Sequence, residues 1–359
     1  MTRQILNNPI KEALKCGQSI WYDGFLPKEE FAKLIEDGIR GATTNPTIFE
    51  KAISSGAHDA EIRGWAKTHG HQAIYKLFVV KAVQEAADVF WPVYRESKGQ
   101  DGFVSLEVSP LLAYDTEGTV REARDLYRLV GRKNLMIKVP ATLEGIPAVR
   151  TLISEGINVN ITLIFSVERY RRVMEAYLLG LEERARQGKT LEGIASVASF
   201  FVSRVDTAVD KLLEEKCLGA LLGKTAIANS KIAYREFEKM FSEERFKKLE
   251  KKGAALQRPL WASTGTKNPN FSDVLYVETL IGAHTVNTMP PATLEAFRDH
   301  GAAASRIQEE MAQADEVLRE VKQAGISLER VTQDLEKAGV ELFAQSYRKI
   351  IEAIEVKLK

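Results

Sequence analysis

Four polar side chains interrupt short apolar runs that have the length of β-strands. They are Glu107, Lys138, Asn160 and Thr162. Successive side chains of a strand point to opposite faces, so Asn160 and Thr162, which are two residues apart, share one face. In a strand covered by helices the apolar face packs against the helices, which turns the polar residues inward. We therefore expect these four side chains to converge on one site.

A lysine in an apolar strand is suited to covalent catalysis. Removal of Lys138 from water disfavours its ammonium form and releases the nucleophilic amine, which forms imines with carbonyl compounds. A carboxylate such as Glu107 can move the protons that imine formation requires, directly or through a water held by Thr162. The alternative is structural, because an ion pair between Lys138 and Glu107 would keep the lysine charged, and buried Asn or Thr can satisfy backbone groups. Both roles of the pair can coexist over a catalytic cycle.

Eight short β-type runs alternate with longer helical patterns. The predicted strands are Ser19–Asp23, Gly38–Thr44, Phe103–Ser109, Leu135–Val139, Val159–Phe165, Ser196–Arg204, Leu260–Thr264 and Thr285–Thr288. The clearest helical pattern is Val167–Arg186, with Ser166 placed to cap it and Gly188 placed to end it. Strands separated by helices pair in parallel, and eight such units favour an α/β (β/α)8 TIM barrel over an open doubly wound sheet. Barrel active sites lie at the carboxyl ends of the strands, where the polar side chains occur.

The chain of 359 residues is long enough for one barrel with additions. No flexible linker divides it, so we expect a single domain over residues 1–359, with the barrel in residues 1–290 and a helical C-terminal extension in residues 291–359 packed on the barrel. Beyond Pro291 the pattern is wholly helical. An apolar stripe there consists of Leu342, Phe343, Tyr347, Ile350, Ile351 and Ile354. This helix either closes over the barrel mouth or packs between subunits.

The composition is that of an ordinary globular protein, with 45% hydrophobic residues, 28% charged residues and a net charge of +1. Such a balance leaves no field to attract nucleic acid or a membrane surface. Cys16 and Cys217 form no Cys/His cluster, the histidines lack metal-ligand spacing, and no nucleotide-binding glycine motif precedes a helix. We therefore expect neither a metal nor a cofactor. No run approaches the roughly 18 apolar residues of a membrane span, and the N-terminus lacks the core of a signal peptide, so we expect a cytoplasmic protein.

Five segments, in this order along the chain, resemble motifs of the transaldolase family. They are ATTNPT at 42–47, LEV at 106–108, IKVPAT at 137–142, NITLIFS at 160–166 and SFFVSR at 199–204. A single tetrapeptide such as TTNP is weak, but five segments on strands already inferred are specific. The resemblance covers about Ser19 to Pro290. It implies a Schiff-base transferase of the pentose phosphate pathway, which moves a dihydroxyacetone unit from a ketose phosphate to an aldose phosphate.

The resemblance also implies a catalytic role for four residues. Lys138 would be the Schiff-base lysine, Glu107 and Thr162 the acid/base and water-holding pair, and Asp23 the group that handles the hydroxyl proton during carbon–carbon cleavage. Asp23 lies in the segment WYDGF, where capping of a turn is the structural alternative. No metal or cofactor is implied for this chemistry.

The same resemblance implies the substrate contacts. Asn45, Asn160 and Ser199 would hold hydroxyls of the dihydroxyacetone unit, and Arg204 would bind the substrate phosphate. The family has an arginine as a second phosphate ligand after the seventh strand, whereas this sequence offers Lys267. A lysine binds phosphate as a point charge without the bidentate fork, so the geometry at that corner differs. An Asx turn at Asn45 and a solvated loop lysine at Lys267 are the structural alternatives.

Two other functions stay open. A fructose-6-phosphate-type aldolase would share the barrel and Lys138 but release the ketol unit, and Phe201 argues against it because those relatives place a tyrosine there. A non-catalytic sugar-phosphate-binding barrel would need Arg204 and Lys267 but neither Lys138 nor Glu107. Sugar phosphates are the expected partners in every case. A homodimer is compatible with the sequence, which does not decide the oligomeric state.

Overall fold

The computed structural model describes residues 8–358, and its centre is a closed barrel of eight parallel strands that pair in chain order, with β8 beside β1. The strands are β1 Gln18–Asp23, β2 Ala42–Thr43, β3 Val104–Glu107, β4 Leu135–Pro140, β5 Val159–Ile164, β6 Ser196–Phe201, β7 Gln257–Ala262 and β8 Thr285–Met289. The predicted (β/α)8 architecture is confirmed and the open doubly wound sheet is excluded.

Helices cover the outside of the barrel and extend beyond it. In the described part of the chain they are α1 Pro9–Lys15, α2 Lys28–Asp37, α3 Pro46–Ser54, α4 Asp59–Trp65, α5 His71–Glu96, α6 Thr116–Val130, α7 Gly145–Glu155, α8 Val167–Arg186, α9 Ser203–Glu214, α10 Thr225–Ser242, α11 Glu244–Glu250, α12 Leu275–Thr279, α13 Pro291–His300, α14 Met311–Gln323 and α15 Leu328–Leu358. Helix α8 has the predicted bounds. The Ser166 hydroxyl accepts from the Arg169 amide at 3.1 Å, and Gly188, with φ +70°, follows the C-cap.

The second strand is shorter than the sequence predicted. Regular strand geometry is confined to Ala42–Thr43, whereas the prediction began at Gly38. Gly38 instead closes helix α2 with φ 115°, a left-handed conformation that favours glycine. Gly41 then passes through a narrow gap, since a Cβ there would lie 2.8 Å from the Phe103 carbonyl oxygen. The predicted strand 38–44 thus contains the end of a helix, a residue whose backbone lies close to a neighbouring segment, and a two-residue strand.

The predicted ends of strands six and seven were also wrong. Strand β6 stops at Phe201, and helix α9 begins at Ser203, so Arg204 lies in the first helical turn and not in the strand. After Arg204, the buried residues Val205, Val209 and Leu213 are four positions apart, which is the spacing of one helix face and not of one strand face. Strand β7 starts three residues earlier than predicted, at Gln257, and ends at Ala262 because Ser263 has φ +56°.

Strand β5 contains an irregularity at its carboxyl end that the sequence did not predict. Leu163 has φ +60°, and the register with β6 shifts between Ile161 and Ile164. The Leu163 side chain packs closely against helix α15, because a Cβ built on Gly339 would lie 2.8 Å from Leu163 Cδ2. The strand is therefore distorted at the point where the C-terminal helix crosses the barrel.

The C-terminal region is not wholly helical, which corrects the prediction. Residues 301–310 separate α13 from α14 without helical structure. The amides of Arg306 and Ile307 both donate to the carbonyl of Ile281, at 2.9 Å and 3.0 Å, and the Ile307 side chain is buried. Anchoring to the loop before β8 thus replaces the helical hydrogen bonds that the alanine-rich sequence would otherwise make.

Helix α15 lies across the carboxyl end of the barrel. Its predicted stripe is buried at Phe343, Tyr347, Ile350 and Ile354, whereas Leu342 is 42% exposed and Ile351 is half-buried. Polar contacts fix the helix to the barrel elements. The Ser346 and Thr47 hydroxyls are 3.0 Å apart, and Glu336 pairs with Arg169 of α8 at 3.1 Å. Of the two predicted positions for this helix, the structure shows the one over the barrel mouth.

Candidate active site

A pocket of about 570 Å³ opens at the carboxyl ends of the strands. Eight of the ten predicted site residues line it, namely Asp23, Asn45, Lys138, Thr162, Ser199, Phe201, Arg204 and Lys267. Glu107 and Asn160 do not line this mouth pocket, but each is held at its floor by contacts with residues that do. The predicted convergence of side chains from several strands is therefore observed.

Strand register places Lys138 between Glu107 and Asn160. The Cα atoms of Glu107 and Lys138 are paired across β3 and β4, and those of Lys138 and Asn160 across β4 and β5. Lys138 is only 5% exposed, and its Nζ lies 3.3 Å from Glu107 Oε2 and donates to the Thr44 carbonyl at 3.1 Å. The ring of Phe343 lies 5.7 Å from the same nitrogen. The amine is thus held at the floor of the pocket by one carboxylate, one carbonyl and one aromatic ring.

The Glu107 carboxyl group is buried with an incomplete set of partners. Oε2 contacts the Lys138 ammonium as an ion pair but has no hydrogen-bond partner among the described residues. Burial raises the pKa of Glu107, and the positive charge of Lys138 opposes that shift. A carboxylate with a raised pKa accepts protons more readily than an ordinary glutamate, which suits an acid/base group beside an amine.

Thr162 and Asn160 differ in their surroundings although they share a strand face. The Thr162 hydroxyl is fully buried, lines the mouth pocket and has no hydrogen-bond partner among the described residues. Such a group is available to hold a water or a substrate hydroxyl. The Asn160 amide instead donates to the Ser105 hydroxyl at 3.0 Å and accepts from the Ser199 hydroxyl at 2.7 Å. Asn160 therefore supports Ser199 from below, and its own substrate contact stays a prediction.

Asp23 at the end of β1, two strands from Glu107 of β3, lines the mouth pocket. Its Oδ1 accepts from the Thr43 hydroxyl at 2.7 Å, and Thr43 is in turn 2.7 Å from the Thr288 hydroxyl. Burial raises the pKa of Asp23, and the charges of Lys138 and then Arg204 oppose the shift. Among the described residues Asp23 accepts from no backbone amide, so the turn-capping alternative is not what the structure shows. The carboxyl is free to contact a bound molecule.

Asn45 has the structural role that was the alternative to substrate binding. Its Oδ1 accepts from the Ile48 amide at 3.1 Å and caps helix α3. The side chain also lines the mouth pocket. The two roles are compatible because the cap uses the carbonyl oxygen of the amide and leaves its nitrogen, a donor, toward the pocket.

Two cations from neighbouring elements form one corner of the pocket. Arg204 projects from the first turn of α9, with its guanidinium 5.4 Å from the Phe201 ring, and Lys267 lies on the exposed loop after β7. Ser263 and Gly265 line the pocket between them. Burial lowers the pKa of Arg204, and Asp23 opposes that shift, but a guanidinium remains charged at neutral pH. The corner suits an anion such as a phosphate, with the positive end of α9 adding to the two side chains.

Closure of the C-terminal helix over the barrel mouth was one of the two predicted positions, but the side chains that α15 contributes to the site were missed. Leu342 and Phe343 line the mouth pocket, yet both were predicted only as members of an apolar stripe. Adjacent apolar residues are common in the apolar stripe of a helix, so the sequence carries no signal that marks Leu342, which is 42% exposed, as a pocket residue. The Thr43 and Thr288 hydroxyls beside Asp23 were missed as well, since threonines in strands carry no specific signal.

Residues 8–358 contain no group of three or more His, Cys, Asp and Glu side chains placed to hold a metal ion. Within the same range, no helix has the length and apolar character needed to cross a bilayer. Cys16 and Cys217 are both free thiols.

The closed barrel, the buried lysine and carboxylate at its floor and the cationic corner define a (β/α)8-barrel enzyme with a lysine-centred pocket for anionic substrates. The chain belongs to the transaldolase/fructose-6-phosphate aldolase family, whose model matches residues 20–354. It is 45% identical over 375 aligned positions to a protein of Trichodesmium erythraeum (strain IMS101) named "Transaldolase", covering 99% of both chains. It is also 46% identical over 362 positions to the "Transaldolase" of Saccharopolyspora erythraea, covering 98% of both. The resemblance seen in the sequence motifs is thus confirmed.

Proposed function

We propose that the protein is a transaldolase, which transfers a dihydroxyacetone unit from sedoheptulose 7-phosphate or fructose 6-phosphate to glyceraldehyde 3-phosphate or erythrose 4-phosphate. One observation carries the proposal: Lys138 Nζ lies 3.3 Å from Glu107 Oε2, at the floor of a pocket with Arg204 and Lys267 at its rim. A ketose phosphate carries its carbonyl near one end and its phosphate at the other. The Lys138 amine and its proton acceptor Glu107 at the floor suit the carbonyl end, and the two cations at the rim suit the phosphate end.

The first step is attack of the Lys138 amine on the ketose carbonyl, which forms an imine through a carbinolamine. Glu107 takes a proton from the ammonium and returns it to the departing hydroxyl, so that water is released. Thr162, with its free hydroxyl in the pocket, positions that water or the carbinolamine oxygen. The ion pair seen at rest is the starting state of this exchange and not an obstacle to it.

The second step is cleavage of the bond between the third and fourth carbons of the ketose, one bond removed from the imine carbon. Asp23 removes the proton of the hydroxyl at the carbon beyond that bond, the aldose phosphate leaves, and the electron pair stays on the imine-bound three-carbon unit. Ser199 and Asn45 line the pocket and hold the hydroxyls of that unit. Asp23 then gives its proton to the oxygen of the incoming aldose phosphate as the new bond forms, so that the cycle is balanced.

The remaining assignments are parts of the same proposal. Arg204 and Lys267 bind the phosphate of either sugar, and Phe201 keeps proton donors away from the bound carbanion. We further propose that the enzyme acts in the pentose phosphate pathway in the cytoplasm without a cofactor, as one domain whose residues 291–359 pack on the barrel of residues 1–290, and that a homodimer is its candidate assembly.

Borohydride reduction in the presence of fructose 6-phosphate tests the assignment of Lys138. We expect the reagent to reduce the imine, inactivate the enzyme and leave a stable adduct on Lys138, which peptide mass spectrometry locates. Lys138→Ala should form no adduct and lose activity by several orders of magnitude. Lys51→Ala is the matched control, because Lys51 lines the same pocket and should not affect where the adduct forms. An adduct at another lysine, or full activity in Lys138→Ala, would contradict the proposal.

A further inference from the structure

A second cavity of about 270 Å³ lies on the far side of Glu107 from the mouth pocket. Its lining includes Glu107, Ser109, Glu122, Tyr75, Lys76 and Tyr347. Glu107 lines this cavity, and its Oε2 contacts Lys138, which lines the mouth pocket. The Glu107 side chain therefore connects the second cavity to the imine-forming nitrogen.

This cavity has its own opening to solvent between helices α5 and α6. Gln72 and Ala73 of the first turn of α5 are exposed and line it, as does the partly exposed Lys76. The mouth pocket opens instead between the strand ends and α15, and its lining contains none of these three residues. The two openings are thus separate.

The lining of the second cavity suits water. Glu122 accepts from the Ser109 amide at 2.6 Å, and burial raises the pKa of Glu122. Tyr347 and Ser109, which both carry a hydroxyl group, line the cavity as well. A cavity of this size with convergent polar groups has room and partners for several water molecules, whereas an apolar one stays dry.

Helix α15 and a bound substrate both restrict the path of water through the mouth pocket. The Phe343 ring lies 5.7 Å from Lys138 Nζ, and a sugar phosphate that spans from Lys138 to Arg204 lies along the mouth pocket. Imine formation nevertheless releases one water: the ketose oxygen leaves with two protons from the lysine ammonium, and the nitrogen keeps one as an iminium. Hydrolysis at the end of the cycle consumes one water at the same place.

We propose that the cavity lined by Glu107, Glu122 and Ser109 is a water route, through which the water of imine formation leaves and the water of hydrolysis enters while substrate occupies the mouth. The inference rests on the proposed transaldolase function. Glu107 lines this cavity and contacts Lys138 of the mouth pocket, so the group that moves the protons also borders the path of the water.

Loss of an oxygen label tests the route. Fructose 6-phosphate carrying ¹⁸O at its ketone carbon exchanges that label for solvent oxygen whenever the released water leaves before hydrolysis. The rate of label loss, corrected for the loss seen with Lys138→Ala, is divided by the rate of imine formation from borohydride trapping. We expect Ala73→Trp, which plugs the opening at an exposed position, to lower this ratio several-fold because the same water returns.

Ala312→Trp is the matched control, because it adds the same side chain at an exposed position of α14 outside both cavities. Its ratio should equal that of the unmodified enzyme, and Gln72→Trp, at the same opening as Ala73, should reproduce the effect. An unchanged ratio in both plugged variants, including a parallel fall of trapping and label loss, overturns the water route. Absence of any trapped imine in the unmodified enzyme would instead overturn the proposed function, so the two failures are distinguishable.

Discussion

Lys138 and Glu107 show how main-chain register can position candidate catalytic groups without any special local sequence. The two residues are direct neighbours across β3 and β4, so their side chains leave the sheet side by side. Alternation along each strand then decides that both project inward. Lys138 Nζ lies 3.3 Å from Glu107 Oε2, and the incomplete hydrogen bonding of Glu107 leaves it able to take a proton from the amine.

Most of the site could be predicted at this scale, because polar residues at period two in an apolar strand mark a face that is not simply hydrophobic core. Lys138 and Thr162 reach the mouth pocket as expected from that alternation. Asn160 follows the same alternation but lies below the mouth pocket, where its amide group hydrogen-bonds to the Ser105 and Ser199 hydroxyls. Depth within a barrel depends on the stagger of neighbouring strands, which a single strand's sequence does not contain.

The phosphate corner gives a prediction that separates binding from chemistry. Replacement of Arg204 or Lys267 by Ala should raise KM for phosphorylated donors, by the loss of charge-assisted hydrogen bonds on the order of 2–3 kcal/mol. The effect should be larger for Arg204, which is half-buried and whose guanidinium can bind a phosphate in bidentate fashion, than for the exposed Lys267. Steady-state kinetics with fructose 6-phosphate measure it. Fructose without its phosphate is the control substrate, and equal KM values for the variants and the unmodified enzyme with the phosphorylated donor would exclude the corner.

Phe201 gives a prediction about the fate of the carbanion. Its ring lines the pocket beside Ser199, and phenylalanine has no proton to donate to the imine-bound carbanion before the acceptor arrives. A tyrosine hydroxyl at this position can donate one directly or hold a water that does. We therefore expect Phe201→Tyr to lower transfer to erythrose 4-phosphate and to raise acceptor-independent cleavage of fructose 6-phosphate, with Lys138 needed for both. The two rates are measured side by side in the purified variant.

Phe165→Tyr is the matched control for that experiment. The Phe165 ring lies 5.0 Å from the Phe201 ring but does not line the mouth pocket. An added hydroxyl there should disturb packing alone and depress both rates together. A parallel fall in Phe201→Tyr as well would remove Phe201 from the mechanism and reopen the aldolase alternative.

Helix α9 joins the phosphate corner to a buried carboxyl that stabilises the next helix. Asp206, two residues after Arg204, accepts from the Ala226 amide at 2.6 Å and from the Tyr276 hydroxyl at 2.9 Å. It thereby links α9 to the first turn of α10 and to α12. Burial raises the pKa of Asp206 to about 7, against the opposing effect of the Ala226 hydrogen bond.

This shift predicts how stability depends on pH. The folded pKa lies above the value of about 3.9 expected for Asp206 in the unfolded chain, so folding binds a proton between the two values. The stability from Asp206 is present in full below about pH 4 and is lost as the pH rises through about 7, by up to roughly 4 kcal/mol. Asp206→Asn keeps the shape of the protonated carboxyl and should flatten the fall of Tm between about pH 5 and about pH 8, measured by calorimetry.

Tyr276→Phe should change that pH dependence in the opposite direction. Loss of the hydroxyl removes a donor that stabilises the ionised carboxylate of Asp206 and raises the pKa of Asp206 further, so the fall of Tm should extend to higher pH. Identical profiles in Asp206→Asn and the unmodified protein would show that Asp206 does not titrate in this range.

The elements themselves were predictable where periodicity alone decides them, and not where tertiary contacts do. Helix α8 follows a continuous 3.6-residue pattern with a serine cap, and its predicted bounds were confirmed. Strand β2 and the start of β7 were misjudged because a close backbone passage at Gly41 and buried polar contacts at Gln257 depend on neighbouring strands. The break at residues 301–310 depends likewise on a carbonyl, that of Ile281, which the local sequence does not reveal.

At the scale of the whole molecule, the C-terminal helix contributes side chains to the candidate active site of the barrel. The Phe343 ring of α15 lies 5.7 Å from Lys138 Nζ, and Gly339 packs on the irregular end of β5. Tyr347 of the same helix lines one side of the second cavity. The barrel sequence alone could not predict this, because an amphipathic stripe says that a helix packs and not where. The contacts with the barrel support the proposal that barrel and extension form one domain.

Two single substitutions on α15, Glu336→Gln and its control Glu341→Gln, test whether the chain unfolds as one domain. Glu336 pairs with Arg169 of the barrel, and both side chains are about 15% exposed or less, whereas Glu341 pairs with Arg348 of its own helix and both are more than half exposed. All four tryptophans lie before residue 290, so fluorescence reports the barrel and far-UV circular dichroism reports every helix.

Glu336→Gln should lower the free energy of unfolding by on the order of 2 kcal/mol, with coincident urea transitions by both probes, since it leaves Arg169 buried without its partner. Glu341→Gln should change stability by less than about 1 kcal/mol. A fluorescence midpoint that stays fixed in Glu336→Gln while circular dichroism splits into two transitions would show that the extension unfolds independently of the barrel.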